Sequence, residues 1–169
     1  MCNRLPFHLH RIVQFAVDHR PDDVRTELDN LGAESSADLS RLLSGLTSHG
    51  YCHLAEFLVG KGANPNFQEE SGATPISDVI MSNLRKEEKI VALTELLRLG
   101  ADPNVYGCGS NPVVWLAARN NLRELVKLLL RHGADPKART IDPDGGSSLE
   151  DLAADRGYDW LSILLKPTA

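Results

Sequence analysis

Three near-identical pentapeptides punctuate the chain: Gly62-Ala63-Asn64-Pro65-Asn66, Gly100-Ala101-Asp102-Pro103-Asn104 and Gly133-Ala134-Asp135-Pro136-Lys137. Each follows a Leu/Val-rich stretch of helical character. The intervals between their glycines are 38 and 33 residues. Self-similarity at such a period marks a stacked repeat, in which each unit is a supersecondary element that cannot bury its apolar face alone.

The clearest unit runs from Asn111 to Lys137. Pro112 suits a first helical turn, where its missing N–H costs nothing. Val114, Ala117 and Ala118 share one helical face, and the paired alanines let two antiparallel helices approach closely. Asn120-Asn121 breaks the helix. A second helix over 122–131 carries Leu122, Leu125, Val126, Leu129 and Leu130 on one stripe. Gly133 can take the left-handed conformation that closes it, with Ala134 packing back.

The unit upstream repeats this plan. Thr74-Pro75 leads into a first helix with Ile76, Val79 and Ile80, and the second holds Ile90, Val91, Leu93, Leu96 and Leu97. Its five extra residues fall in or near 83–89, where they either extend the loop between the helices or lengthen one helix. The charged run Arg85-Lys86-Glu87-Glu88-Lys89 there reads as solvated. Earlier still, Leu39, Leu42 and Leu43 predict a first helix, His49-Gly50 a break, and Leu54, Ala55, Leu58 and Val59 a second helix.

Both ends are degenerate, as terminal repeats tend to be. At the front, Ile12, Val13, Phe15 and Ala16 precede a break at His19-Arg20-Pro21, and Val24, Leu28 and Leu31 lead to Gly32-Ala33. His8-x-His10 reads as solvated chain before the first helix. At the back, Leu149, Leu152 and Ala153 precede Gly157, and Leu161, Ile163 and Leu164 follow it.

These residues resemble the ankyrin repeat. Gly72-Ala73-Thr74-Pro75-Ile76 matches the family's opening, and Leu116-Ala117-Ala118-Arg119-Asn120 matches the centre of its first helix. Leu96-Leu97-Arg98-Leu99-Gly100-Ala101-Asp102 and Leu129-Leu130-Arg131-His132-Gly133-Ala134-Asp135 match its close. The match is strongest from Ser48 to Pro136. The family's Thr-Pro-Leu-His becomes Thr74-Pro75-Ile76-Ser77 in one unit and Asn111-Pro112-Val113-Val114 in the next, so the histidine that ties a hairpin to its helix is missing from both. Asn111 to Gly133 is one residue longer than the family's interval, so Val114 or Trp115 could take that position.

The resemblance implies an all-α solenoid of about five antiparallel helix pairs with short β-hairpin fingers. The chain is expected to be a single ankyrin-repeat domain over 1–169, with repeats near 9–34, 35–66, 67–104, 105–137 and 138–166. Fingers are expected at 66–73, 104–110 and 137–147. In this family partners usually dock on the finger tips and the exposed side of the first helices, a concave surface.

Composition bounds the partners. The net charge of −5 gives no electrostatic footprint for a nucleic-acid backbone and mildly favours a basic protein surface. The odd count of three cysteines, Cys2, Cys52 and Cys108, argues against a disulfide framework and suits a reducing compartment. The N-terminus lacks the apolar run of a signal peptide, and no stretch approaches the ~20 apolar residues that span a bilayer. A cytoplasmic protein with no membrane contact is expected. Self-association is not indicated.

Residues that could carry chemistry are few. Cys108, between Gly107 and Gly109 on the second finger, is either a reactive thiol or a small residue in a glycine turn; no adjacent Lys, Arg or His activates it. Cys52, His49 and His53 lack a fourth metal ligand, and Cys52 falls where a repeat wants an apolar residue. Asp142-Pro143-Asp144-Gly145-Gly146 lacks the spaced ligands and terminal Glu of a calcium loop. There is no Gly-x-Ser-x-Gly motif and no phosphate cradle. No metal, cofactor or catalytic group is expected.

Better candidates lie on the fingers. Phe67, Tyr106 and Ile141 each follow a Gly-Ala-x-Pro motif by a few residues. Aromatics anchor interfaces, burying much area with few rotatable bonds; the alternative is that each packs on the neighbouring finger. Glu69, Glu70, Cys108, Arg119, Asn120 and Arg139 complete the expected partner-binding set. Trp115 reads as a core or inter-repeat residue and Trp160 as a cap on the stack. Nearly the whole chain is repeat, so binding itself is the expected activity. It would act by blocking or sequestering a partner (inhibitor or immunity type), by bridging two proteins, or, remotely, as an enzyme or metal protein.

Overall fold

A computed structural model describes residues 7–18, 20–32, 34–142 and 145–166, without the side chains of His8 and Pro21. Cys2, His19, Ala33, Pro143 and Asp144, each part of a reading above, lie outside the described residues.

Helices pair in chain order. α1 (Phe7–Val17) packs on α2 (Pro21–Asp29), α3 (Ser36–Thr47) on α4 (Ala55–Gly60), and α5 (Pro75–Met81) on α6 (Lys86–Arg98). α7 (Val113–Arg119) packs on α8 (Arg123–Arg131), and α9 (Leu149–Arg156) on α10 (Asp159–Leu164). The first helices stack in sequence, α1 on α3, α3 on α5, α5 on α7 and α7 on α9. A second row places α6 against α8 and against the 3₁₀ turn Cys52–Leu54 that leads into α4. The protein is an all-α repeat fold with one core, continuous from Leu9 to Leu161.

Local chemistry sets the helix ends. Thr74 Oγ1 accepts the Ser77 N–H while Ser77 Oγ accepts the Thr74 N–H, a reciprocal cap, and Pro75 occupies the first helical turn. Ser148 and Asp151 do the same for α9. At the far ends, Gly62, Gly100 and Gly133 adopt φ of 105°, 91° and 92°. That left-handed step returns the N–H of the following alanine to the carbonyls of Leu58, Leu96 and Leu129 at 2.9–3.0 Å, and buries Ala63, Ala101 and Ala134.

The repeated pentapeptides also bind one another. Asn66 Oδ1 accepts the Asp102 N–H at 2.6 Å, and its Nδ2 donates to the Gly100 carbonyl at 2.9 Å. Asn104 makes the same pair of bonds to Asp135 and Gly133, at 2.8 and 3.0 Å. Each asparagine thus staples its own turn to the next. Lys137 stands at the third position, so the series ends there. The first turn is held from the other side: Ser36 donates to the Gly62 carbonyl at 2.6 Å, and the Asn64 N–H donates to Ser40 at 2.7 Å.

Several expectations need correction. Of the two alternatives for the extra residues of the third unit, a longer helix is the one observed: α6 starts at Lys86 and runs for 13 residues, against 9 in α8. Its buried stripe is Lys89, Ala92, Leu93, Leu96 and Leu97, which places Val91 off the stripe and 57% exposed. Lys89 is therefore not solvated; its ammonium donates to the Ile80 carbonyl at 2.6 Å and caps α5. Pro112 lies in a strand ahead of α7, not in its first turn, because residue 112 pairs with the finger. His10 is inside α1, since the helix begins at Phe7. Ile163 on α10 is 67% exposed, on the side of that helix turned away from the described residues.

Candidate protein-docking face

The fingers are cross-linked. In the first, the Glu69 N–H donates to the Ala73 carbonyl and the Gly72 N–H to the Glu69 carbonyl. In the second, β1 (Tyr106–Gly107) pairs antiparallel with β2 (Asn111–Pro112). In the third, the Thr140 N–H donates to the Ser147 carbonyl at 3.0 Å. Gln68 Nε2 reaches the Tyr106 carbonyl at 3.1 Å, and the Ile141 N–H reaches the Ser110 carbonyl at 3.0 Å. The three loops form one hydrogen-bonded edge.

The proposed site residues divide along this edge. Phe67 is half-buried with the Arg41 guanidinium 5.1 Å from its ring centroid. Arg41 also pairs with Glu69 at 2.9 Å and Asp38 at 3.1 Å, so Phe67 and Glu69 turn inward onto α3. Glu70 is exposed. On the second finger Tyr106 is half-buried and Cys108 exposed. On the third, Ile141 is 66% exposed, while Arg139 donates to the Gly145 and Gly146 carbonyls and to Asp151, tying that finger to α9.

Arg119 and Asn120 lie elsewhere, at the C-terminal end of α7. Arg119 sits over the Trp115 ring at 5.5 Å, and Asn120 Nδ2 donates to the Leu116 carbonyl at 2.8 Å. Among the described residues the buried indole N–H groups of Trp115 and Trp160 have no hydrogen-bond partner. Arg123 covers the Trp160 ring at 5.2 Å.

Sequence reasoning missed Asp78, on α5. It accepts the Ser44 hydroxyl at 2.5 Å. Burial raises its pKa, the Ser44 bond opposes this, and nearby Glu69 adds to the rise. The one available signal was a carboxylate beside the apolar stripe of a helix.

The histidine and cysteine residues considered as metal ligands are dispersed in role. His49 Nδ1 donates to the Gly45 carbonyl at 2.7 Å, His53 packs on Tyr51 with centroids 6.0 Å apart, and Cys52 rests on the core. Burial raises the Cys52 pKa. Among the described residues no group of three His, Cys, Asp or Glu is placed to hold a metal ion. Among the same residues no helix is long and apolar enough to cross a membrane.

The sequence matches the family described as "Ankyrin repeats (3 copies)" over residues 43–140. The chain belongs to the ankyrin-repeat family. As an ankyrin-repeat protein it is a protein–protein interaction module. The Arabidopsis thaliana protein named "Putative E3 ubiquitin-protein ligase XBAT34" is 32% identical over 130 residues, which is 76% of this chain and 33% of that protein. The chain thus spans a third of the length of this relative.

Proposed function

We propose that this ankyrin-repeat chain recognises a partner protein with its finger edge and the exposed sides of its first helices, and blocks or sequesters that partner without a catalytic step of its own. Repeats at 9–34, 35–66, 67–104, 105–137 and 138–166 would each supply one helix pair. The observation that carries the reading is the finger edge itself. Backbone and side-chain bonds join the three loops, yet Glu70, Cys108 and Ile141 stay exposed along it. A fixed edge loses little entropy when a partner docks. The net charge of −5 favours a basic partner surface. A reducing compartment such as the cytoplasm suits the free thiols of Cys52 and Cys108.

A second reading, an adaptor that bridges two proteins, draws on the name of the Arabidopsis relative, in which a matching segment belongs to a longer chain. Affinity capture from native lysate, followed by binding measurements, separates the two. A single partner bound one-to-one, with its activity suppressed, supports blocking; two partners held at once support bridging. In either case Tyr106→Ala and Glu70→Arg should each weaken capture about tenfold with helical circular dichroism retained. Unchanged affinity in both variants would move the interface off the fingers.

A further inference from the structure

A groove of about 520 Å³ runs along the C-terminal ends of α1, α3 and α5, lined by Val17, Ser48, His49, Asp78, Met81 and residues 82–84. It lies on the first-helix row, below the fingers. Three of its properties agree on the chemistry of an occupant.

Its floor is apolar and open to water: Met81 is 54% exposed and Val17 43%. Among the described residues its one carboxylate has no cation. Asp78 has only the Ser44 hydroxyl as a hydrogen-bond partner and forms no ion pair among the described residues. Arg41 is committed to Asp38 and Glu69, and Lys89 to the Ile80 carbonyl. No lysine or arginine lines the groove, and His49 turns its Nδ1–H to its own helix. Finally, the groove meets the ends of the 11-residue α1 and the 12-residue α3, where the helix dipole is negative.

We infer that this groove receives a lysine or arginine side chain of the partner protein, the cation against Asp78 and the side-chain stem on Met81 and Val17. The inference rests on the docking face proposed above and adds a position and a chemistry to it. A long cationic side chain satisfies both surfaces at once, because its methylenes pack on apolar groups while its head pairs with a carboxylate. Half-burial makes that pairing less screened than at an open surface. Asp78 is already held in an environment that disfavours its charge, and an incoming cation would relieve this.

The test uses the full chain, isotope-labelled for amide NMR and titrated with acetyl-Leu-Lys-Leu-amide. The same peptide with norleucine or Glu at the centre serves as control. The lysine peptide should give saturable shifts at residue 17, at 48–49 and at 78–84, with affinity about tenfold above the norleucine peptide. Asp78→Asn should remove that advantage. Met81→Lys, at an exposed position, should abolish the response by supplying the cation internally. The amide spectra of the variants report whether they are folded. Equal response to the lysine and norleucine peptides, shifts outside the groove, or indifference to Asp78→Asn would overturn the inference. So would a concentration-dependent dimer that Met81→Lys dissolves, since a second copy would then fill the groove. Such a failure leaves the Tyr106 and Glu70 results on the captured partner untouched, so the two readings fail separately.

Discussion

The asparagines that close the first two pentapeptides each satisfy one N–H and one carbonyl in the following turn. Removing such a side chain leaves both groups to find water on a constrained turn. Asn104→Ala should therefore cost about 1–2 kcal/mol in urea denaturation, whereas Lys137→Ala, with no turn beyond it to staple, should cost almost nothing. The repetition was plain in the sequence, but the bonding was not, because each partner lies 29–36 residues away. Asp78 makes a second case. Its folded pKa lies above the ordinary 3.8, so the folded chain binds this proton more tightly than the unfolded chain does. The stability that it contributes is fully present below 3.8 and lost as pH rises through the folded value. Asp78→Asn keeps an acceptor for Ser44 and removes the ionisation. It should be more stable than the parent at pH 7, with the gain shrinking as the pH is lowered toward about 4.

At the level of elements, the join between α5 and the second finger accounts for a departure from the family pattern. A Cβ on Gly107 would lie 2.6 Å from Ser77 Cβ and 3.0 Å from a Leu116 methyl, and Ser77 is fully buried. Serine both caps the helix and leaves room for the strand, where the family's histidine would strike it. Ser77→His should cost about 1–3 kcal/mol, and more than Ser77→Ala, which loses only the cap. A histidine variant as stable as the parent in urea would show that the close approach does not restrict this position. In the next unit Trp115 occupies the third position of α7, as Ser77 does in α5, while Val114 is the residue that shares the deep burial of Ser77. The longer α6 follows the same logic: its stripe begins at Lys89, whose stem is buried and whose head caps α5. A run of five charged residues gave no sign that one of them would turn inward.

Across the whole molecule, stability in a stacked array is a sum of units and the interfaces between neighbours. Ala117 on α7 and Leu129 on α8 are fully buried in the middle of the core. Ala117→Trp overfills the contact between helices, and Leu129→Asp buries a charge without a partner. Each should abolish the cooperative thermal transition seen by circular dichroism, and a parent-like melt in either would contradict the stacking. The sequence alone determined that the chain is an array of paired helices, because glycine-closed amphipathic stretches at a fixed period admit few other ways to cover their apolar faces. It also indicated that the loops between units follow the same glycines. Only the tertiary structure decided which side chains are committed and which are free: Phe67 and Glu69 to Arg41, Arg139 to Asp151, Lys89 to Ile80, and Asp78 without a cation among the described residues. Those pairings join residues from different repeats, from two helices, or from a loop and a helix. Their geometry depends on how the units stack, and a periodic pattern read along one dimension does not contain it.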